Sequence, residues 1–291
     1  TKAMLEESMG LISSTSSSTT NDAPRNTNIR LICEAIDGHM LMPGESFDFN
    51  EHVGQRTAAK GYQEAGGIYD GIMRQELGGG ICQPNTMLFH SVVKADLQVD
   101  MRSPHTWPST YVQTGTDATV TWGGANFQFT NDSDYPIAIH AYYADRRVTV
   151  EIYGHRLPDD MTIEVIGVVN SVTPSTGVEY IADKEMPVGK TEVEREPRDA
   201  ISATAYKVYY DSDGNELYRE SAFSSFYPMI RARVRVGVLN EDGTFSEMDK
   251  ETGEVITPEP TEEPTEEPTP EPTPQPTEEP TQEQTGNGLD D

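Results

Sequence analysis

Two cysteines, Cys33 and Cys82, in 291 residues are too few for a disulfide scaffold or a thiolate zinc cluster. Long apolar runs are missing too: no stretch approaches the roughly 20 residues that a transmembrane helix requires. Basic residues are scarce, 21 Lys and Arg against 49 Asp and Glu, and the net charge of −28 repels phosphate, which excludes nucleic acid as a partner. Hydrophobic residues make up 35 % of the chain, below the usual ~45–50 %. That shortage is concentrated at one end. From Pro258 to Asp291 there are nine prolines, eleven carboxylates, no Lys or Arg, and one large aliphatic, Leu289. Such a segment cannot offset chain entropy and is expected to be a disordered tail. The rest is long enough to bury a core. Thr1 is not a natural first residue, so an export signal or anchor is expected ahead of it.

What is present reads as an α+β fold: an N-terminal α+β domain with an antiparallel meander, a small all-β module, and a disordered C-terminal tail. A polar lead-in, 1–24, precedes the first domain at 25–157, the β module at 158–238 and an acidic tail at 239–291. Ile29, Ile32, Cys33 and Ile36 recur at helical spacing within Asn28–Gly38, which places Cys33 on a buried face. Ser46–Asn50 alternates as a strand does, and Gly54–Gly80 is a glycine-punctuated loop. Pro84–Ala95 reads as a helix with proline in its first turn. Ala118–Trp122, Phe127–Thr130, Ile137–Tyr143 and Arg147–Tyr153 read as the meander. In the β module, Lys207–Tyr210 and Glu216–Tyr218 flank a glycine-bearing hairpin loop, and no convergent polar group is legible.

The chemistry points to Gly78-Gly79-Gly80-Ile81-Cys82-Gln83-Pro84. A cysteine at a helix start, after a flexible turn, meets unpaired N–H groups and a dipole that both favour the thiolate. The same N–H groups suit an oxyanion. The nucleophile needs a base. His39 and His52 lie near turns, His140 falls in a strand and His155 follows one. His90 sits two helical turns, ~12 Å, from Cys82. His105, in the proline-bracketed loop Arg102–Pro108, is the candidate.

Asn28-Ile29, Gly38, Pro43-Gly44-Glu45-Ser46-Phe47, Asn50, Val53-Gly54, Gly61-Tyr62 and Gly78-Gly79-Gly80-Ile81-Cys82-Gln83 together resemble the VanW-like family. Arg102, His105, Tyr111, Gly115-Thr116-Asp117-Ala118-Thr119-Val120, Asn131 and Pro136-Ile137 extend the resemblance, which covers about 25–154. Thr162–Val238 is similar, more weakly, to the small five-glycine module linked to cell-wall or sugar binding. The resemblance implies an exported or envelope-attached Gram-positive protein, related to vancomycin-resistance genes. It also implies L,D-transpeptidase activity on peptidoglycan stem peptides, with Cys82 as nucleophile and His105 as its base. Gly79, Gly80, Gln83, Thr86, Arg102, Tyr111 and Asp117 become the candidate substrate or oxyanion contacts. Asp117 or Tyr111 would orient His105, and Arg102 would meet the stem carboxylate. No metal and no cofactor are expected, and wall polysaccharide is a candidate partner of the β module. Where the family has Val-Ser-Thr or Val-Ser-Ser after Cys-Gln, this chain has Pro84-Asn85-Thr86, and His90 stands where Asn is frequent.

Three readings remain open on the sequence: a cysteine acyl-transfer enzyme, a non-catalytic wall-binding accessory with Cys82 inert, and a Cys33–Cys82 disulfide.

Overall fold

The computed structural model describes residues 9–69, 72–158 and 161–256. The sequence expectations for the tail beyond 256 lie outside these residues. The first helix, α1 (Ala23–Ile36), begins six residues before its apolar stripe because Asp22 caps it, accepting from the Arg25 N–H at 3.1 Å, and Pro24 fits the first turn. Ile29, Ile32, Cys33 and Ile36 are all buried, and Gly38 turns the chain out at φ +74°. The central helix, α3 (Cys82–Lys94), is buried along Gln83–Val93. Its polar side chains survive burial because each finds a partner. Ser91 Oγ donates to Val150 O at 2.8 Å, and Ser13 Oγ donates to Ser91 O at 2.7 Å.

The polar lead-in is a strand. β1 (Met9–Ser18) pairs antiparallel with β9 (Arg147–His155), which pairs with β8 (Ile137–Ala144), and β2 (Met40–Leu41) closes the order β1-β9-β8-β2. Ser13 and Ser17 lie on the inner face of β1 against α3, which is why they are buried despite their polarity. The expected four-strand meander is corrected. Only its last two strands are neighbours. β7 (Gln128–Thr130) sits instead between β3 (Ser46–Asp48) and β6 (Gln98–Met101). Ala118–Trp122 forms no strand: its backbone is spent on side chains of α3 and on a tight turn at Trp122–Gly124. Phe49 and Asn50 leave the strand reading for a short helix, α2 (Phe49–Val53), capped by the Asp48 carboxylate on the Glu51 N–H. The glycine-rich stretch holds a hairpin of β4 (Glu64–Tyr69) and β5 (Ile72–Leu77).

The second half builds two three-stranded sheets. β10 (Thr162–Thr173), β13 (Ala200–Tyr210) and β14 (Glu216–Tyr227) form one, and β11 (Val178–Pro187), β15 (Ala232–Leu239) and β12 (Thr191–Arg195) the other. In the β13–β14 turn, Asp211 accepts the N–H groups of Asp213 and Asn215. Residues 239–256, expected within the disordered tail, are structured: Leu239 bridges Phe245, and β16 (Glu247–Met248) pairs with β17 (Val255–Ile256). The apolar core crosses between the halves. Val165 and Ala205 belong to the same cluster as Phe89 and Phe127, and the Phe223 ring meets Phe89 edge-on at 5.1 Å.

Candidate active site

Cys82 is the first residue of α3 rather than the residue before it, delivered by a turn in which Gly78 (φ +86°) and Gly80 (φ +103°) take backbone angles closed to other residues. The thiol is partly buried, with Sγ 3.3 Å from Thr119 Oγ1 and 3.6 Å from Val120 O. His105 lines the same cavity beside it, near enough for each group to shift the other's pKa. The imidazole is held from behind: Asp117 Oδ2 accepts both the His105 N–H at 2.7 Å and Nδ1–H at 2.5 Å. With Nδ1 so engaged, Nε2 is the nitrogen left for sulfur. Cys82, His105 and Asp117 thus lie in series, an order that suits a nucleophile, a base and an orienting carboxylate.

The loop carrying Asp117 is fastened to α3 at three points. Thr86 Oγ1 takes the Ala118 N–H at 3.0 Å and donates to Ala118 O, Asn85 Nδ2 donates to Ala118 O at 3.0 Å, and His90 Nε2 donates to Thr116 O at 2.6 Å. The charges follow this geometry. Burial pushes the Cys82 thiol up, but hydrogen bonding and charge from His105, with the Thr119 hydroxyl, outweigh it and leave the thiol below its ordinary value. Burial disfavours the His105 imidazolium, yet the bonds to Asp117 and Cys82 raise it to about 9. Asp117, despite burial, is held down at about 2 by His105 and Tyr227. Both shifts run in the direction that favours a thiolate beside an imidazolium.

The pair opens onto a cavity of about 550 Å³. Both tryptophans of the chain line it, Trp107 nearly buried and Trp122 53 % exposed at its rim. Of the expected contacts, Gly80, Gln83 and Tyr111 reach this cavity, while Gly79, Thr86, Arg102 and Asp117 stand behind its wall. The Gly79 backbone is pressed against β4, where an added Cβ would lie 2.3 Å from Ala65 O. Its N–H is spent on Glu76 O and that of Gln83 on Gly80 O, both at 3.1 Å, so neither is a free oxyanion donor. The Gln83 amide is also committed: Nε2 donates to Ser17 Oγ and Ser18 O, and Oε1 accepts from Arg25. Arg102 does not point at a stem carboxylate. Its guanidinium is buried against Asp117, donating to Asp117 O at 2.6 Å and to Gly115 O at 3.0 Å. Tyr111 reaches Thr86 Oγ1 at 3.4 Å, and the bond that orients His105 comes from Asp117.

Cys33 is remote from this chemistry. Both cysteines are free, and burial pushes the Cys33 thiol up to about 12. The sequence reading missed Arg25 and Arg56, which line the cavity, and Thr119 beside the sulfur. It also missed Tyr227, whose hydroxyl donates to Asp117 Oδ1. Thr119 was legible, being two residues from Asp117. Nothing local marks Tyr227, 110 positions further on.

His90 is fully enclosed, and burial lowers its imidazole to about 4. It stays neutral in the fold but takes a proton in the unfolded chain below ~6.5, so stability falls as pH drops from there toward 4. His90→Asn is expected to flatten that part of a Tm-against-pH curve. An unchanged slope would assign the acid sensitivity elsewhere.

Residues 24–153 match the family described as VanW like protein. The YoaR protein of Bacillus subtilis (strain 168) is 43 % identical over 129 residues, 44 % of this chain and 43 % of that protein. The vancomycin B-type resistance protein VanW of Enterococcus faecalis (strain ATCC 700802 / V583) is 25 % identical over 167 residues, 55 % of this chain and 61 % of that protein. The chain spans less than two thirds of the length of either relative. Among solved structures, the crystal structure of HP0197-G5 aligns at 17 % identity with 26 % of this chain and 97 % of its own, at a TM-score of 0.15 that carries no argument. The chain therefore contains a VanW-like domain at 24–153.

Proposed function

We propose that this VanW-like domain is a cysteine acyl-transfer site acting at the cell envelope as an L,D-transpeptidase on peptidoglycan stem peptides. The observation that carries the reading is that Cys82 and His105 share the wall of one cavity, with Asp117 holding the His105 ring from behind. The Cys82 thiolate attacks the carbonyl carbon of the third stem residue, and the carbonyl electron pair moves to oxygen. On collapse the C–N bond to terminal D-alanine breaks, and the His105 imidazolium gives its proton to the leaving amine. A neighbouring stem's amine then attacks the thioester and passes a proton to His105. The C–S bond breaks, and the thiolate–imidazolium pair is restored. The Cys82 N–H at the helix start, which has no hydrogen-bond partner among the described residues, suits the oxyanion. Arg25 and Arg56, which line the cavity, suit the stem carboxylate in place of Arg102.

Iodoacetamide labelling against pH, alongside incubation with tetrapeptide-bearing muropeptides, tests the reading. The expected result is a single fast thiol with a midpoint below the free value of ~8.5, together with released D-alanine. A thiol with ordinary reactivity and no release would leave a wall-binding accessory as the better reading.

A further inference from the structure

The second half of the chain does not merely lie beside this site. Along β14, alternate residues share a face, and Phe223, Ser225 and Tyr227 all turn toward the VanW-like domain. Phe223 packs on Phe89 of α3. Ser225 Oγ accepts from Arg102 Nη1 at 2.7 Å and donates to Gly115 O at 3.1 Å. Tyr227, with no exposed surface, accepts the Gly115 N–H at 2.9 Å and donates to Asp117 Oδ1. Asp117 is thereby pegged at both oxygens, to His105 by one and to Tyr227 by the other. The contact is close enough to need a glycine: Gly115 has φ +94°, and a Cβ there would lie 2.9 Å from the Ala203 Cβ of β13. Two residues from His105, the Arg198 guanidinium covers the Trp107 ring at 3.8 Å.

We propose that Tyr227 is a positioning residue for the nucleophile, so that the β-rich half completes the active site by fixing the Asp117 carboxylate. The inference rests on reading Cys82 as an activated nucleophile. It requires nothing of the acyl acceptor. A carboxylate held at one oxygen only can rotate, and each rotation out of place costs His105 its orientation and its charge partner. Without the hydroxyl, the buried Gly115 N–H also loses its acceptor, and the 115–117 turn loses its anchor.

The test uses the full chain and the rate of Cys82 alkylation by iodoacetamide across pH, in the native protein, Tyr227→Phe, Asp117→Asn and the double variant. Tyr227→Phe is expected to slow alkylation about tenfold near neutral pH, the loss that one hydrogen bond to a charged group carries. The midpoint of the profile should move up toward the ordinary thiol value of ~8.5. In the Asp117→Asn background the same change should have little further effect. An unaltered rate and profile, or an equal slowing in both backgrounds, would overturn the proposal. Should Tyr227→Phe fail to fold, Ser225→Ala reads the same linkage through Arg102, with about threefold slowing expected and native reactivity as the refuting result. A native thiol of ordinary reactivity would instead overturn the nucleophile reading, and this proposal with it.

Discussion

If the proposed transpeptidase reading holds, Cys82→Ser should cut D-alanine release by ~10³-fold or more and leave the fold intact. The substitution changes one atom at the head of α3, where the neighbours are the Thr119 hydroxyl and the Val120 carbonyl, both of which accept an O–H as well as an S–H. Chemically the exchange is severe. The site favours a thiol that ionises below its ordinary value beside a His105 imidazole raised to about 9. A serine hydroxyl, whose pKa lies far above that of a thiol, has no accessible anion there. His105→Ala is the companion measurement, raising the thiol pKa because the imidazolium is gone. Residual turnover by Cys82→Ser above one per cent of native would mean that the sulfur is not the nucleophile.

Asp117→Ala lowers the melting temperature by about 10 °C and removes the thiol activation with it. Asp117 is 1 % exposed and faces Arg102, His105 and Tyr227. Taking away one partner of a buried ion pair strands the other charge, at a cost of about 3–5 kcal/mol, or several degrees per kcal/mol at this chain length. The pH dependence carries a sign on each side. With its carboxyl held at about 2, Asp117 contributes stability that is present above ~3.9 and lost as pH falls through 2. With its imidazole raised to about 9, His105 contributes stability that is complete below ~6.5 and lost as pH rises through 9. The variant should lose both slopes in a Tm-against-pH series. A variant with native Tm across that series would show that the buried charge cluster adds nothing net to the fold.

How much of this was legible depended on distance along the chain. The α1 stripe, the glycine turn before Cys82 and the proline-bracketed His105 are local patterns, and local chemistry explains each. Ala118–Trp122 misled because its alternation of Ala118, Val120 and Trp122 resembles a strand, whereas Thr86 and Asn85 take the Ala118 backbone groups that a neighbouring strand would need. Arg102 misled because a cation near a candidate site suggests an anionic ligand, and its counter-charge proved to be the chain's own Asp117. Tyr227 was out of reach. A tyrosine ending a strand in an all-β stretch has no sequence mark that distinguishes a buried hydroxyl donor from a surface residue.

The seclusion of Cys33 bears on how Cys82 fares under oxidation. A low-pKa thiolate opening onto solvent is the form of cysteine most readily oxidised, first to a sulfenic acid. That product is ordinarily rescued by a second thiolate that condenses with it, giving a disulfide that cellular reductants reopen. Cys33 is 1 % exposed and, at about 12, remains protonated, so it cannot serve. Cys82 therefore stands without a resolving thiol in its own chain. Oxidative damage at Cys82 is reversed only by an external thiol arriving through the same mouth that admits substrate.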